Sequence, residues 1–250
     1  MVKNVVGIVG PTGTGKTALG VTLAHALDGE IVSCDSMQVY RAMPIATAQP
    51  SAAERGGIPH HLMDWLEPTE KCSVVRWCTA ARAVIADIHA RGKLPIVVGG
   101  TGLYYDALTQ DFRFDDPAPS RGTPPYHTLT LGLDCLERAH LYARLDARVD
   151  AMLSAGLWEE TARLALAHEH TAAQAIGHKE LRPALRGEIT KEEAVENLKR
   201  ATRRYAKRQR TWFLHQTLDV HWLYLDDGAS DEKLHSEAIQ CVKKWMEETA

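Results

Sequence analysis

Residues 10–17 read Gly-Pro-Thr-Gly-Thr-Gly-Lys-Thr, and this run constrains the fold more than any other part of the chain. Gly10, four intervening residues and Gly15-Lys16-Thr17 make a complete phosphate-binding loop. Gly10, Gly13 and Gly15, with Pro11, Thr12 and Thr14 between them, let backbone N–H groups turn inward around an anion. Lys16 adds positive charge, and Thr17 can place its hydroxyl on a magnesium ion. The flanks agree. Val5-Val6-Gly7-Ile8-Val9 reads as a buried strand and Lys16–Leu27 as the following helix, so the anion sits at a helix N-terminus. The alternative is an ordinary glycine-rich turn, and the full pattern in strand–loop–helix context outweighs it. The loop names the bound group and leaves the reaction open, since ATPases, kinases and other diphosphate users share it.

The first hundred residues keep alternating strand and helix. Strand Glu30–Cys34 ends at Asp35, a helix follows over about Ser73–Arg91, and strand Leu94–Val98 ends in Gly99-Gly100-Thr101-Gly102. This pattern predicts a P-loop NTPase-like α/β fold, a parallel sheet flanked by helices, whose ligands sit beyond the carboxyl ends of the strands. The phosphate loop, Asp35 and Thr101 all lie at such ends, so they converge on one crevice. Residues 111–126, rich in Pro, Gly and Asp, read as a short linker. Thr128–Leu133 reads as a strand returning to the sheet. The C-terminal half is mainly helical: a helix carrying Leu141, Leu145, Val149 and Met152 and stopping near Gly156, a second over about Leu157–His168, a third from Lys191 to about Phe213. A last strand, Val220–Leu225, precedes a terminal helix through Trp245. A single domain over 1–250 accommodates all of this.

Composition narrows the class. The formal charge of −3, from 29 Lys+Arg against 32 Asp+Glu, argues against a protein that coats nucleic acid over its whole surface but permits a local basic site. Five scattered cysteines without Cys-x-x-Cys spacing read as reduced thiols rather than a disulfide framework or zinc site. No apolar run reaches membrane-spanning length, and the first strand begins too early to leave room for a signal peptide, so a cytoplasmic protein is expected.

Three further features bear on chemistry. Asp35, at a strand end, can hold magnesium or accept a proton; a turn or helix cap is the blander reading. The Gly99–Gly102 strand end lacks the magnesium-holding Asp of many P-loop NTPases, which disfavours a motor ATPase and leaves a small-molecule kinase open, with Asp35 in the metal role. The helix from Lys191 carries Lys199, Arg200, Arg203, Arg204, Lys207, Arg208 and Arg210. Such density in an acidic chain points to polyanion contact rather than to a solvated helix face. His60-His61 lacks a carboxylate at ligand spacing and reads as a loop bordering the substrate.

With these residues in hand, the chain resembles the tRNA dimethylallyltransferase family. The matching segments are Gly10–Thr17, Asp35-Ser36-Met37-Gln38-Val39-Tyr40-Arg41, Pro59-His60-His61-Leu62, Gly99-Gly100-Thr101-Gly102-Leu103-Tyr104, Ala175–Glu180 and Ala201–Trp212, in the family's order. The resemblance implies transfer of a dimethylallyl group from dimethylallyl diphosphate to the exocyclic amine of the adenosine 3′ of the tRNA anticodon, with Mg2+ as cofactor. It implies that the loop amides, Lys16, magnesium on Thr17 and Arg203 stabilise the departing diphosphate. Asp35 acts as base, and Thr101 positions the leaving oxygen or the amine. Ser36, Met37 and Gln38 read or support the flipped base. Asp35 and Thr101 also face the tRNA, and Lys207 and Arg208 hold its phosphates. A monomer bound to an anticodon stem-loop, with no membrane contact, is the implied assembly.

The departures are as specific. Residues 111–126 stand where family members carry a small helical insertion that grips the stem-loop. Either this is a natural minimal form, or the sequence lacks a mobile segment. Ala46 and Gln49 replace a glycine and a lysine usual in the family, and His178 stands where tyrosine is common. Two rival functions follow: a nucleotide-type small-molecule kinase, or an RNA-binding remnant without turnover.

Overall fold

The computed structural model describes residues 3–113, 120–164, 170–225 and 231–249. In chain order its elements are β1 (Asn4–Val9), α1 (Lys16–Ala26), β2 (Gly29–Ser33), the short α2 (Ala52–Arg55), β3 (His60–His61), α3 (Val74–Ala90), β4 (Leu94–Val98) and α4 (Gly102–Thr109). Then come β5 (Phe112–Arg113), β6 (Ser120–Arg121), β7 (His127–Cys135), α5 (Arg138–Ser154), α6 (Leu157–Leu164), α7 (His178–Leu185), α8 (Lys191–His215), β8 (Val220–Leu225) and α9 (Asp231–Glu248). Six strands form one parallel sheet in the order β3-β2-β4-β1-β7-β8.

The central strands are apolar on both faces, as a parallel sheet covered by helices requires. Val5, Val9, Val32 and Val97 point to one side, where Trp77 and Ile85 of α3, Tyr105 of α4 and Phe213 of α8 close over them. Val6, Ile8, Ile31 and Ile96 point to the other, against Leu19 and Leu23 of α1 and Leu234 and Val242 of α9. The period-two alternation thus sorts one strand into two cores. α3 starts where the Ser73 hydroxyl accepts the Arg76 N–H, and it buries Trp77, Ala81, Ile85 and Ile88 along one stripe. A third apolar cluster, Val149, Leu157, Leu181, Ala194 and Leu198, joins α5 to α8 beside the sheet.

Most expected elements stand where the sequence puts them, with four differences. The 111–126 segment is not wholly a linker: Phe112 pairs with Arg121 and Arg113 with Ser120 in an antiparallel ribbon, while 114–119 lie outside the described residues. His60-His61 is not loop but an edge strand paired with Ile31 and Val32, because the 59–61 backbone lies alongside β2. The expected helix end between 165 and 168 also lies outside the described residues, and α6 is described to Leu164. Finally, α2, α4 and α7 have no sequence-based counterpart; with four, eight and eight residues they are too short for a periodic apolar signal to stand out.

Candidate functional site

The helices that follow β1 and β4, α1 and α4, leave toward opposite faces of the sheet, and a crevice opens beyond the carboxyl ends of these strands. It holds a cavity of about 780 Å³. Thr12, Gly13, Gly15, Lys16 and Thr17 line its anion side, and Asp35, Ser36, Met37 and Gln38 come in from the end of β2. Gly99 and Gly100 at the end of β4 complete the sheet side, and α5 and α8 close it from above. Gly10, Pro11 and Thr14 shape the loop without lining the cavity.

Gly15 carries φ +82 and stands at the cap of α1, whose first turn has no side-chain partner, so its N–H groups are available to an anion. The Thr14 hydroxyl and the Lys16 ammonium both donate to the Pro11 carbonyl, at 2.9 and 2.7 Å. Desolvation by the surrounding protein, together with the Arg148 charge, lowers the Lys16 ammonium from an ordinary 10.5 to about 7; Asp35 opposes this. Lys16 nevertheless keeps a face open to the cavity. It is a cation waiting for a counter-charge.

Opposite stands Asp35. Its Oδ1 accepts the N–H groups of Met37 (2.8 Å) and Gln38 (3.2 Å), which is the turn role. No described residue donates to Oδ2, so the second oxygen remains for cavity chemistry. The Thr101 hydroxyl oxygen accepts the Ser36 N–H at 3.0 Å and stands 3.4 Å from the Ser36 hydroxyl, joining the two strand-end loops. Thr101 therefore sits just behind the wall rather than in it. The Gln38 amide donates to the carbonyls of Thr47 and Ala48 and accepts from Ser33, so its side chain supports the 46–50 wall.

α5 and α8 supply cations. Arg148 donates to the Thr12 hydroxyl at 3.0 Å, and Arg144 to the Gly13 carbonyl at 3.0 Å. Burial lowers the Arg148 pKa, against the pull of Asp35 and Glu54. Arg203, by contrast, does not line the cavity: its Nη1 donates to both carboxylate oxygens of Asp146, at 2.6 and 2.8 Å. Arg148 lines the cavity and Arg203 does not. Arg208 lines the cavity and lies over the Tyr205 ring at 5.7 Å, while Lys207 faces an adjoining groove with Arg204, Trp212 and His215. Among the described residues Arg204, Lys207 and Arg208 have no carboxylate partner.

Of the two histidines, His60 borders the cavity and His61 turns away to Glu30 at 2.8 Å. Ala46 lines the cavity, whereas the Gln49 amide is spent on the carbonyls of Gln38 and Tyr40, both at 3.1 Å. His178 is fully buried, its Nδ1 2.8 Å from the Thr161 hydroxyl, and burial lowers it to about 4. Arg144 and Arg148 were not singled out by sequence reasoning, and Tyr205 and Gln209, though inside the matching segment Ala201–Trp212, were given no role at the site. The two arginines had a readable signal, an i,i+4 pair beside the apolar row Leu141, Leu145, Val149. Gln209 had none.

Among the described residues no cluster of three His, Cys, Asp or Glu side chains stands ready for a metal. The Thr17 hydroxyl on the cavity wall fits a magnesium ion held mainly by diphosphate oxygens and water.

Residues 3–64 match the isopentenyl transferase family model, and 38–122 and 113–216 match the IPP transferase model in two stretches. The tRNA dimethylallyltransferase of Geobacillus thermodenitrificans is 40% identical over 293 residues, covering 91% of this chain and 92% of its own length. The chain belongs to the tRNA dimethylallyltransferase family. The family's enzyme from Anoxybacillus flavithermus is 38% identical over 305 residues, with 97% of each chain covered. The solved full-length tRNA isopentenylpyrophosphate transferase of Bacillus halodurans superposes with a TM-score of 0.91 at 36% identity, covering 98% of this chain and 97% of that one. A eukaryotic dimethylallyltransferase solved acting on tRNA gives 0.88 at 28% identity, covering 98% of this chain and 80% of that one. Family membership makes this a prenyltransferase on a P-loop NTPase-like scaffold. Alignments of 293 and 305 residues exceed the 250 of this chain, so the relatives hold residues without a counterpart here, and the two stretches of the IPP transferase match overlap at 113–122. No described helix is long and apolar enough to cross a membrane.

Proposed function

We infer that this protein transfers a dimethylallyl group from dimethylallyl diphosphate to the exocyclic amine of the adenosine 3′-adjacent to a tRNA anticodon. The observation that carries the reading is one cavity in which Lys16, Arg148 and a phosphate loop face the open oxygen of Asp35. In the reaction the allylic C–O bond breaks, the adenine nitrogen forms the new bond to that carbon, and the diphosphate leaves with the bonding pair. The loop amides, Lys16 and Arg148 meet the growing negative charge. The amine proton becomes acidic as the C–N bond forms, and Asp35 Oδ2 takes it. Magnesium, on Thr17 and the diphosphate, would neutralise part of the leaving-group charge. Thr101 acts by holding Ser36, and with it the Asp35 turn. Arg203, paired with Asp146, braces α8 against α5 and supports the anion side from behind.

The cations of α8 that have no carboxylate partner among the described residues, Arg208 in the cavity and Arg204 and Lys207 beside it, provide the grip on RNA phosphates. The segment from 111 to 126 stands in place of the helical insertion expected from the family resemblance, which leaves a single domain to hold the anticodon stem-loop. Ser36, Met37 and Gln38 form the wall against which the flipped adenine rests. The protein works as a monomer in the reduced cytoplasm.

The test is mass analysis of an anticodon stem-loop incubated with dimethylallyl diphosphate and magnesium. A gain of one five-carbon unit on that adenosine is expected. ATP-dependent phosphorylation of a small acceptor without prenyl transfer, or RNA binding without turnover at saturating donor, would replace this reading with one of its rivals.

A further inference from the structure

Two peptide planes from opposite sides of the cavity meet on one buried amide. Gln209 of α8 is 5% exposed and stands in the buried row of that helix with Leu198, Ala206 and Phe213. Its Oε1 accepts the Thr12 N–H at 2.8 Å, and its Nε2 donates to the Gly100 carbonyl at 3.0 Å.

Each bond reaches further than its partner atom. The Thr12 N–H belongs to the same planar peptide as the Pro11 carbonyl, which receives both the Lys16 ammonium and the Thr14 hydroxyl. The Gly100 carbonyl shares a peptide with the Thr101 N–H, which donates to the Cys34 carbonyl at 3.2 Å, one residue before Asp35. Tyr205, one turn earlier on α8, contacts the side chains of both Thr101 and Gln209. The space at Gly100 is kept for this purpose: a Cβ there would lie 2.0 Å from Gln209 Nε2.

We propose that Gln209 is a positioning residue that fixes the distance between the leaving-group cation, Lys16, and the acceptor-side carboxylate, Asp35, by clamping the peptide that supports each. A primary amide offers one acceptor and two donors at the same end. Glutamate loses the donors and methionine loses both arms. The proposal rests on the prenyl-transfer reading for its effect on turnover, but its effect on anion binding is independent of that reading.

The test uses Gln209→Met and Gly100→Ala in the full chain. Gly100 has no positive φ, so alanine there is opposed chiefly by the Gln209 amide. For Gln209→Met, kcat should fall about 100-fold, the order of a 1 Å misplacement of reacting groups, with KM for the stem-loop RNA within about twofold of wild type. Magnesium pyrophosphate, measured by calorimetry, should bind about tenfold more weakly, a change of about 1.4 kcal/mol. Gly100→Ala should reproduce the pattern in the wild-type background and be nearly silent beside Gln209→Ala, where the clash is gone. A general loss of structure would raise the RNA KM as well and would make the two substitutions additive. Should Gln209→Met not fold, the Gly100→Ala cycle decides alone. Pyrophosphate affinity and kcat within twofold of wild type in both single variants overturn the proposal. Wild-type protein that binds pyrophosphate and transfers no prenyl group overturns the reading of the reaction instead.

Discussion

Diphosphate binding should take up a proton at Lys16 and weaken as the pH rises through neutrality. With the Lys16 pKa at about 7, half of the unliganded molecules carry a neutral amine there at pH 7. A diphosphate in the loop restores the missing counter-charge and carries the bound-state pKa back toward the ordinary 10.5. The sign follows directly. The bound form prefers the ammonium, so affinity is full below about pH 7 and falls up to tenfold per unit above it, until the bound-state pKa is reached. Between pH 7 and 9 the loss is about fifty-fold, or about 2 kcal/mol, because Lys16 is already half neutral at the start. The assay is calorimetric titration with an inert thiolo analogue of dimethylallyl diphosphate at fixed magnesium and salt, in buffers of different ionisation enthalpy. Proton uptake should be about one half at pH 7 and approach one at pH 8. Lys16→Arg keeps its charge throughout and should lose the slope, whatever its absolute affinity. Constant affinity and no proton uptake in the wild type would show that Lys16 is charged before the ligand arrives, and that burial and Arg148 do not govern its titration.

Asp35→Asn keeps an acceptor oxygen for the N–H groups of Met37 and Gln38 but carries no base. It should lower kcat by about 10²–10⁴ while diphosphate affinity changes little, and near-wild-type single-turnover rates would remove the base from the mechanism. Arg148→Ala should weaken inert-analogue binding about tenfold or more, whereas Arg203→Ala should act mainly on the melting temperature by leaving Asp146 without its partner; the reverse ranking would return the leaving-group role to Arg203. Glu160→Ala strips the acceptors from the Ile45 and Ala46 N–H groups, each held at 2.9 Å by a carboxylate only 2% exposed. The expected loss is about 2–5 kcal/mol, read by thermal melting as a fall of roughly 5–15 °C.

The sequence made the sheet legible because its strands are buried on both sides: Val5–Val9 and Leu94–Val98 are uninterrupted apolar runs, which few other structures permit. The phosphate loop was equally plain, since its spacing is local and the backbone does the binding. Asp35 and Thr101 were found by topology, from their place after strands, and the structure brings both to the cavity region, Asp35 in its wall and Thr101 behind it. What escaped was set by contacts between distant segments. Arg203 and Arg148 are both arginines on helices near the site, and only the position of Asp146 on α5 decides which of them is tied up. His60-His61 looked like loop because a two-residue strand has no period of its own; it exists only because β2 lies alongside. Gln209 sat unnoticed among seven cations, a neutral residue whose importance depends on a peptide 197 positions away.

The end of β4 shows why the acid of this site has to come from β2. Phosphoryl-transferring relatives of the loop commonly place a magnesium-holding Asp at such a strand end. Here a Cβ at Gly99 would stand 2.0 Å from the Cys34 carbonyl oxygen, and one at Gly100 would stand 2.0 Å from the Gln209 amide. The first obstacle is the Cys34 backbone just past β2 and the second is the clamp on the phosphate loop, so no side chain fits at either position without moving one of them. A side chain at Gly99 is thus opposed by backbone, and one at Gly100 would displace the Gln209 amide. The close approach also draws the backbone just ahead of Asp35 against the β4 strand end: the Cys34 N–H donates to the Val98 carbonyl at 2.8 Å, and the Thr101 N–H donates to the Cys34 carbonyl. The same glycines that deny the cavity a metal-holding Asp on β4 therefore set the carboxylate of Asp35 where, on the proposed reading, an incoming amine would lose its proton.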